Sequence, residues 1–166
     1  GVKIVKNNEK YKVFGNGLGS FKTNKKIKIF TGNSGTTTRL LTGLLSTHPG
    51  KFYLYGDASM NKRDMTRIIK PLEKIGAFFS PKGKKTLPFT IEGTDMPLAQ
   101  KHKENLGSAQ VKSCILFASL NTPGISTIEE EKISRDHSEI LLKEISANIK
   151  TKKLKNKNLI TLKGQK

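Results

Sequence analysis

The sequence predicts a mixed α/β chain built from two copies of one αβαββ unit, each led by a further strand, and two observations carry that prediction. Helix-spaced and alternating apolar segments follow one another in the same order twice along the chain. Residues also agree between the copies: Pro49-Gly50 with Pro123-Gly124, Arg63-Asp64 with Arg135-Asp136, and 89–93 with 160–164, at offsets of 74, 72 and 71 residues. That period is too long for a solenoid repeat, so it reads as a duplicated unit. Residues 25–94 and 95–166 are expected to be the two units, and 1–24 the tail of a preceding one.

The elements follow in order. Residues 2–5 and 11–14 alternate as a hairpin around the polar turn Lys6-Asn7-Asn8-Glu9. After a glycine-rich link, Ile27–Phe30 reads as the leading strand of the first unit. Residues 34–47 carry apolar side chains at helical spacing, start on the cap formers Asn33 and Ser34, and stop at His48-Pro49-Gly50. A strand at 52–55, a helix from about 64 to 75 stopped by Gly76, and strands at 77–80 and 88–92 complete the unit. The second unit repeats this: helix 108–120 with its stop at Thr122-Pro123-Gly124, strand 125–128, helix 138–145, and strands 148–151 and 159–162. Its leading strand is expected at 97–98.

Composition limits the classes of function. The 166 residues suit one ordinary domain, and 34% hydrophobic content is low for a self-contained core without indicating disorder. No run approaches the roughly 18 apolar residues of a membrane span, and the start at Gly1 has no signal-peptide layout, so a cytoplasmic location and no membrane partner are expected. The absence of an initial methionine suits a piece of a longer chain. The one cysteine, Cys114, lies in an apolar run and reads as a buried structural thiol.

A formal charge of +18 points to a partner rich in phosphate, either nucleic acid or small anions. Only four of the 31 basic residues are arginine: Arg39, Arg63, Arg67 and Arg135. General charge is met by lysine, in runs such as Lys22 to Lys28, Lys82 to Lys85 and Lys150 to Lys157 that read as solvated turns. Arginine is the planar fork suited to phosphate and carboxylate, and three of the four lie in or beside glycine, serine and aspartate motifs. A basic nucleic-acid-binding module remains the alternative on charge alone, although no RNA-binding signature, stacking aromatics or arginine-rich tract supports it.

Four motifs carry chemistry. Thr31-Gly32-Asn33-Ser34-Gly35-Thr36-Thr37-Thr38-Arg39 opens a helix straight after a strand, where free backbone N–H groups and the positive end of the helix dipole favour an anion. A well-capped helix start with no ligand explains the same residues equally well. Leu106-Gly107-Ser108-Ala109-Gln110-Val111-Lys112-Ser113 occupies the equivalent place in the second copy, and the symmetry favours one shared anionic pocket. Gly56 to Met65 and Ile133 to Glu139 each place an arginine on the loop before the second helix. Asp57, Asp64 and Asp136 are expected to cap and brace those loops. His137 is read as structural, His48 and His102 have no ligand-like spacing, and no zinc pattern exists.

Together, Gly32-Asn33-Ser34-Gly35-Thr36, Gly56-Asp57-Ala58-Ser59-Met60 with Lys62-Arg63, Ser108-Ala109-Gln110-Val111-Lys112-Ser113 and Ser134-Arg135-Asp136-His137-Ser138-Glu139 resemble the EPSP synthase family, in its bacterial branch with Ser-Ala-Gln. The likeness spans essentially the whole chain. It implies an enolpyruvyl transferase-type α/β fold of βαβαββ units around pseudo-threefold symmetry, of which two units and a remnant are present. It implies transfer of the enolpyruvyl group of phosphoenolpyruvate to the 5-hydroxyl of shikimate 3-phosphate, in aromatic amino-acid (chorismate) biosynthesis, with no cofactor. By position, Gly35, Arg63 and Gln110 would hold phosphoenolpyruvate, and Ser108, Ala109, Gln110 and Arg135 would hold shikimate 3-phosphate.

Room beside Gly35 for a phosphoenolpyruvate mimic makes glyphosate sensitivity an expectation. Asp64 stands where the family usually has proline. The family's early Lys-Ser segment and the acidic and basic residues of its C-terminal domain lie outside this chain, so that domain is an expected partner. No catalytic residue is assigned within 1–166, and the chain alone is expected to lack turnover.

Overall fold

Two four-stranded sheets, each crossed by helices, follow one another along the chain in the computed structural model, which describes residues 2–21 and 23–165. Gly1, Lys22 and Lys166 lie outside the described residues, and with them the first lysine of the run read as a solvated turn. Lys3–Asn7 (β1) and Lys10–Phe14 (β2) pair as an antiparallel hairpin with Asn7 opposite Lys10. Asn8 takes the left-handed backbone of this turn at φ 53°, which asparagine tolerates better than most residues.

In the first sheet, Ile27–Phe30 (β3) crosses through helix α1 (Gly35–Ser46) to Gly50–Tyr55 (β4), and the two strands are parallel, with Ile27 opposite Phe52. A parallel pair cannot be joined by a tight turn, and the helix supplies the crossover. A short 3-10 turn at Met60–Lys62 precedes helix α2 (Thr66–Ile75), which ends at Gly76 in the left-handed conformation (φ 114°) that usually favours glycine. Phe78–Ser80 (β5) and Phe89–Gly93 (β6) close the sheet antiparallel, in the order β3-β4-β6-β5.

The second sheet runs Lys101–Glu104 (β7), helix α3 (Ala109–Leu120), Gly124–Glu130 (β8), helix α4 (His137–Glu144), Asn148–Lys153 (β9) and Asn158–Gly164 (β10), in the order β7-β8-β10-β9. Here too the first pair is parallel and the others antiparallel.

The leading strand of the second sheet is therefore Lys101–Glu104, not 97–98 as expected from the sequence. The Leu98 N–H instead donates to the Ile75 carbonyl at the end of α2 (2.9 Å), and Pro97 has no N–H to give a ladder. The true strand escapes a hydrophobic scan because its less exposed side chains, His102 and Glu104, are polar.

The core lies where α1, α2 and α3 meet the two sheets. Leu54, Ile68, Leu72, Ile75 and Ile91 are fully buried on the first sheet's side, and Ile115, Ile128, Ile160 and Leu162 on the second's. Helices α1 and α3 approach backbone to backbone at Gly43, where an added Cβ would fall 2.0 Å from the Cys114 carbonyl oxygen. Buried hydroxyls permit this close contact by bonding one turn back, as Thr42 does to the Thr38 carbonyl and Ser46 to that of Thr42 (2.7 Å each).

The glycine repeated at 93 and 164 has a shared cause. A Cβ there would lie 2.0 Å from the His48 or Ser119 carbonyl oxygen, so each sheet closes under the last turn of its crossover helix. Apolar side chains also face outward, among them Ile4, Tyr11, Val13, Phe30, Ile125, Ile140 and Ile145.

Candidate anion-binding site

The packing of α1 on α3 sets their two N-termini side by side, each built the same way. Ser34 (φ −99°, ψ 99°) and Ser108 (φ −97°, ψ 103°) are the caps, and their hydroxyls accept the N–H of Thr37 (3.1 Å) and Val111 (3.4 Å). The N–H groups of the first turn that remain uncapped give both tips partial positive charge.

The loop after β4 folds back on the first tip. Asp57 N–H donates to the Gly32 carbonyl (3.0 Å), the Asp57 carboxylate accepts Met60 N–H (2.7 Å), and the Asn61 side chain accepts Gly56 N–H (2.9 Å). This brings Arg63 over the start of α1, where its guanidinium donates to Asn33 Oδ1 at 2.6 Å. Gly35 lies beneath two arginines: a Cβ there would sit 2.8 Å from Arg39 Nη1 and 3.1 Å from Arg63 Nη1.

Arg39 then joins the two tips. Its Nη1 donates to Gln110 Oε1 (2.7 Å), and Gln110 Nε2 donates to Thr36 Oγ1 (2.8 Å), across sequence separations of 71 and 74 residues. Beside this bridge opens a cleft of about 220 Å³, lined among others by Thr36, Ala109, Gln110, Arg135, His137 and Ser138.

Two buried carboxylates hold the loops that carry these groups. Glu104 Oε1 accepts from Leu106 N–H (3.0 Å), Ser108 N–H (3.3 Å) and Arg67 (2.8 Å), which fixes the approach to α3. Glu130 accepts both the N–H (2.9 Å) and the hydroxyl (2.5 Å) of Ser134, next to Arg135. Fully buried Lys112 stands between Glu130 (3.0 Å) and Glu139 (2.7 Å), tying the Arg135 loop to both α3 and α4. Burial pushes the Glu130 carboxyl up, but hydrogen bonds from Ser134 and Lys112 and the lysine charge together hold it below its ordinary value.

The charge of the site is unbalanced. Among the described residues Arg39, Arg63 and Arg135 make no ion pair with any carboxylate. Burial, followed by the nearby Arg63 and Arg67 guanidiniums, lowers the affinity of Arg39 for its proton, against a smaller opposing pull from Asp64. Such a cluster can take up a multiply charged anion with donors already in place.

The structure thus brings Gly35, Arg63 and Gln110 together through Arg39, and sets Ala109, Gln110 and Arg135 on one cleft. Ser108 sits at the same tip, occupied as the cap. Asp57 and Asp64 act on local N–H groups as expected, Asp64 accepting that of Thr66 (2.9 Å). Asp136 does not: it stands at the cap position of α4 and its side chain makes no capping bond. His137, expected to be structural, lines the cleft, whereas His48 is buried with Nδ1 2.7 Å from the Leu44 carbonyl.

Sequence reasoning missed the bridging role of Arg39, for which the only signal was its place four residues after Gly35. It also missed the inward position of Lys112, which reads as one more surface lysine. Among the described residues no helix is long and apolar enough to cross a membrane, and no group of three or more His, Cys, Asp or Glu is placed to hold a metal ion.

Comparison with known proteins gives one consistent set of matches. The family model for EPSP synthase (3-phosphoshikimate 1-carboxyvinyltransferase) matches residues 1–166. A 3-phosphoshikimate 1-carboxyvinyltransferase of Oenococcus oeni is 43% identical over 151 residues, covering 91% of this chain and 34% of that protein. One of Desulforamulus reducens is 40% identical over 162 residues, covering 96% of this chain and 37% of its own length. The solved EPSP synthase of Acinetobacter baumannii superposes with a TM-score of 0.86 at 36% identity, over 100% of this chain and 37% of that one. The chain therefore spans about a third of the length of the curated relatives it matches.

Proposed function

This chain belongs to the EPSP synthase family, and on that premise we propose that it supplies much of the anion-binding face of a 3-phosphoshikimate 1-carboxyvinyltransferase. The whole protein would transfer the enolpyruvyl group of phosphoenolpyruvate to the 5-hydroxyl of shikimate 3-phosphate. The observation that carries this reading is the Arg39–Gln110–Thr36 bridge, which couples two helix tips beside Arg63 and Arg135, neither of which has a carboxylate partner among the described residues.

In this reading Gly35, Arg63 and Gln110 hold phosphoenolpyruvate. The backbone at Gly35 is bare enough for close approach, and the Arg63 fork pairs with carboxylate or phosphate. Ala109, Gln110 and Arg135, with Ser108 at the tip, hold shikimate 3-phosphate along the cleft. Two polyanions repel each other, and preorganised guanidiniums and helix N–H groups offset that repulsion while fixing their mutual orientation.

Adding the hydroxyl to the enol ether carbon and expelling phosphate also requires proton donors and acceptors. The buried acids beside the site, Glu104, Glu130 and Glu139, are engaged in holding loops and a lysine. The family resemblance puts the acid and base groups in the remaining domain of the protein, which would close over this face. Residues 25–94 and 95–166 are proposed as two units and 1–24 as the tail of another, a division supported by the shared strand order and closing glycines. Outward apolar side chains such as Phe30 and Ile140 are where the rest of the protein would pack.

The nucleic-acid module read from charge gains no support from the matches. Calorimetric titration of this chain at about 0.15 M salt tests the reading. Saturable binding of shikimate 3-phosphate, weakened by Arg135→Ala, is expected. Binding of an oligonucleotide that survives this salt, with none of shikimate 3-phosphate, would overturn it, because charge-only nucleic-acid binding falls steeply as salt rises.

A further inference from the structure

A second groove, between α2 and β7, has no place in the reading above. At about 500 Å³ it is more than twice the volume of the substrate cleft of about 220 Å³. One wall is the face of α2 bearing Arg67, Lys70 and Lys74, which helical spacing sets in a row. The other is β7, the edge strand of its sheet.

Thr127 N–H bonds to the Gln100 carbonyl and Glu131 N–H to that of Glu104 (2.9 Å each), so the alternate residues Lys101 and Lys103 turn their backbone groups to the open edge. Two of the groove's cations are already matched, Arg67 by Glu104 at 2.8 Å and Lys103 by Glu131 at 2.6 Å. Lys70, Lys74 and Lys101 are not, and among the described residues no carboxylate pairs with them.

At the floor lies His102, its side chain only 16% exposed and 3.7 Å from Glu104 Oε2. Among the described residues its Nε2 has no partner within hydrogen-bond distance.

We propose that this groove is a second anion site, separate from the substrate cleft, for a small ligand carrying two or more linked phosphate groups. Three lysines without a carboxylate partner, two from α2 and one from β7, line the groove together, and a diphosphate offers them more charge and reach than a single phosphate. The free N–H groups along the β7 edge add uncharged donors. His102 reports on occupancy. Burial first, then the charges of Lys74 and Arg67, lower its proton affinity against the pull of Glu104. An anion lodged beside Lys70, Lys74, Lys101 and Arg67 reverses part of that and raises it.

The test is an NMR titration of the His102 ring protons against pH at about 0.15 M salt, with and without inorganic diphosphate. Expected is a saturable upward shift of the His102 midpoint. Binding should weaken roughly tenfold or more in Lys70→Gln/Lys74→Gln, and independently in Lys101→Gln on the opposite wall. All three lysines are solvent-exposed, so these variants keep the fold.

A shift that grows without saturating, that is unchanged in both variants, or that shikimate 3-phosphate displaces competitively would overturn the proposal. The last result would place diphosphate in the substrate cleft. If shikimate 3-phosphate shows no binding in calorimetry while the His102 shift with diphosphate persists, the substrate assignment fails and the groove stands.

Discussion

Replacing Lys112 by methionine tests how the Arg135 loop is held. The lysine is fully buried, with its ammonium 3.0 Å from Glu130 and 2.7 Å from Glu139. Methionine keeps most of the chain volume and removes the charge, leaving two carboxylates buried against each other. Breaking a buried pair from one side costs about 3–5 kcal/mol, against a small change when every partner is neutralised. For a chain of this size that corresponds to a loss of roughly 6–20 °C in Tm.

The sign of the pH dependence follows from Glu130. Its folded pKa lies below the ordinary value, so its contribution to stability is present above that ordinary value and is lost as pH falls through the folded one. Without Lys112, burial dominates and the carboxyl holds its proton more readily. The Lys112→Met penalty is therefore largest near neutrality and shrinks on acidification. Thermal and urea unfolding followed by circular dichroism at pH 7 and pH 4, with Lys112→Met/Glu130→Gln/Glu139→Gln alongside, measure this. A loss below about 1 kcal/mol at pH 7, or a triple variant no better than the single one, would refute the reasoning.

Gly43→Ala should cost about 3 kcal/mol or more in urea unfolding, because its Cβ meets backbone atoms of Cys114 that cannot swing aside. Gly35→Ala presses instead on the flexible ends of Arg39 and Arg63. It should lower Tm by only a few degrees while weakening phosphoenolpyruvate and glyphosate binding in the complete enzyme, read as a rise in KM and in the inhibition constant. Arg39→Met, which breaks the bridge to Gln110, should weaken shikimate 3-phosphate binding to this chain by roughly tenfold in calorimetry, the loss of one charge-assisted hydrogen bond. Burial pushes the Cys114 thiol up, beyond the range where thiolate forms, so alkylation by iodoacetamide should wait for unfolding in urea.

The sequence by itself determined the helices, most strands and the order in which they follow one another, because periodicity, cap serines and stopping glycines act within a few residues of where they stand. Ser34 and Ser108 begin helices wherever those helices go, and Gly76 ends one. The family resemblance rested on the same local stretches.

The tertiary structure decided what faces what. Arg39 and Gln110 meet only because α1 and α3 touch at Gly43, and no local pattern marks a contact between residues 71 apart. Lys112 and Lys70 are alike as letters, yet one is sealed between two carboxylates and the other faces an open groove. The strand at Lys101–Glu104 stayed hidden because its less exposed residues are polar, and a polar residue can be buried only once the fold supplies its partner.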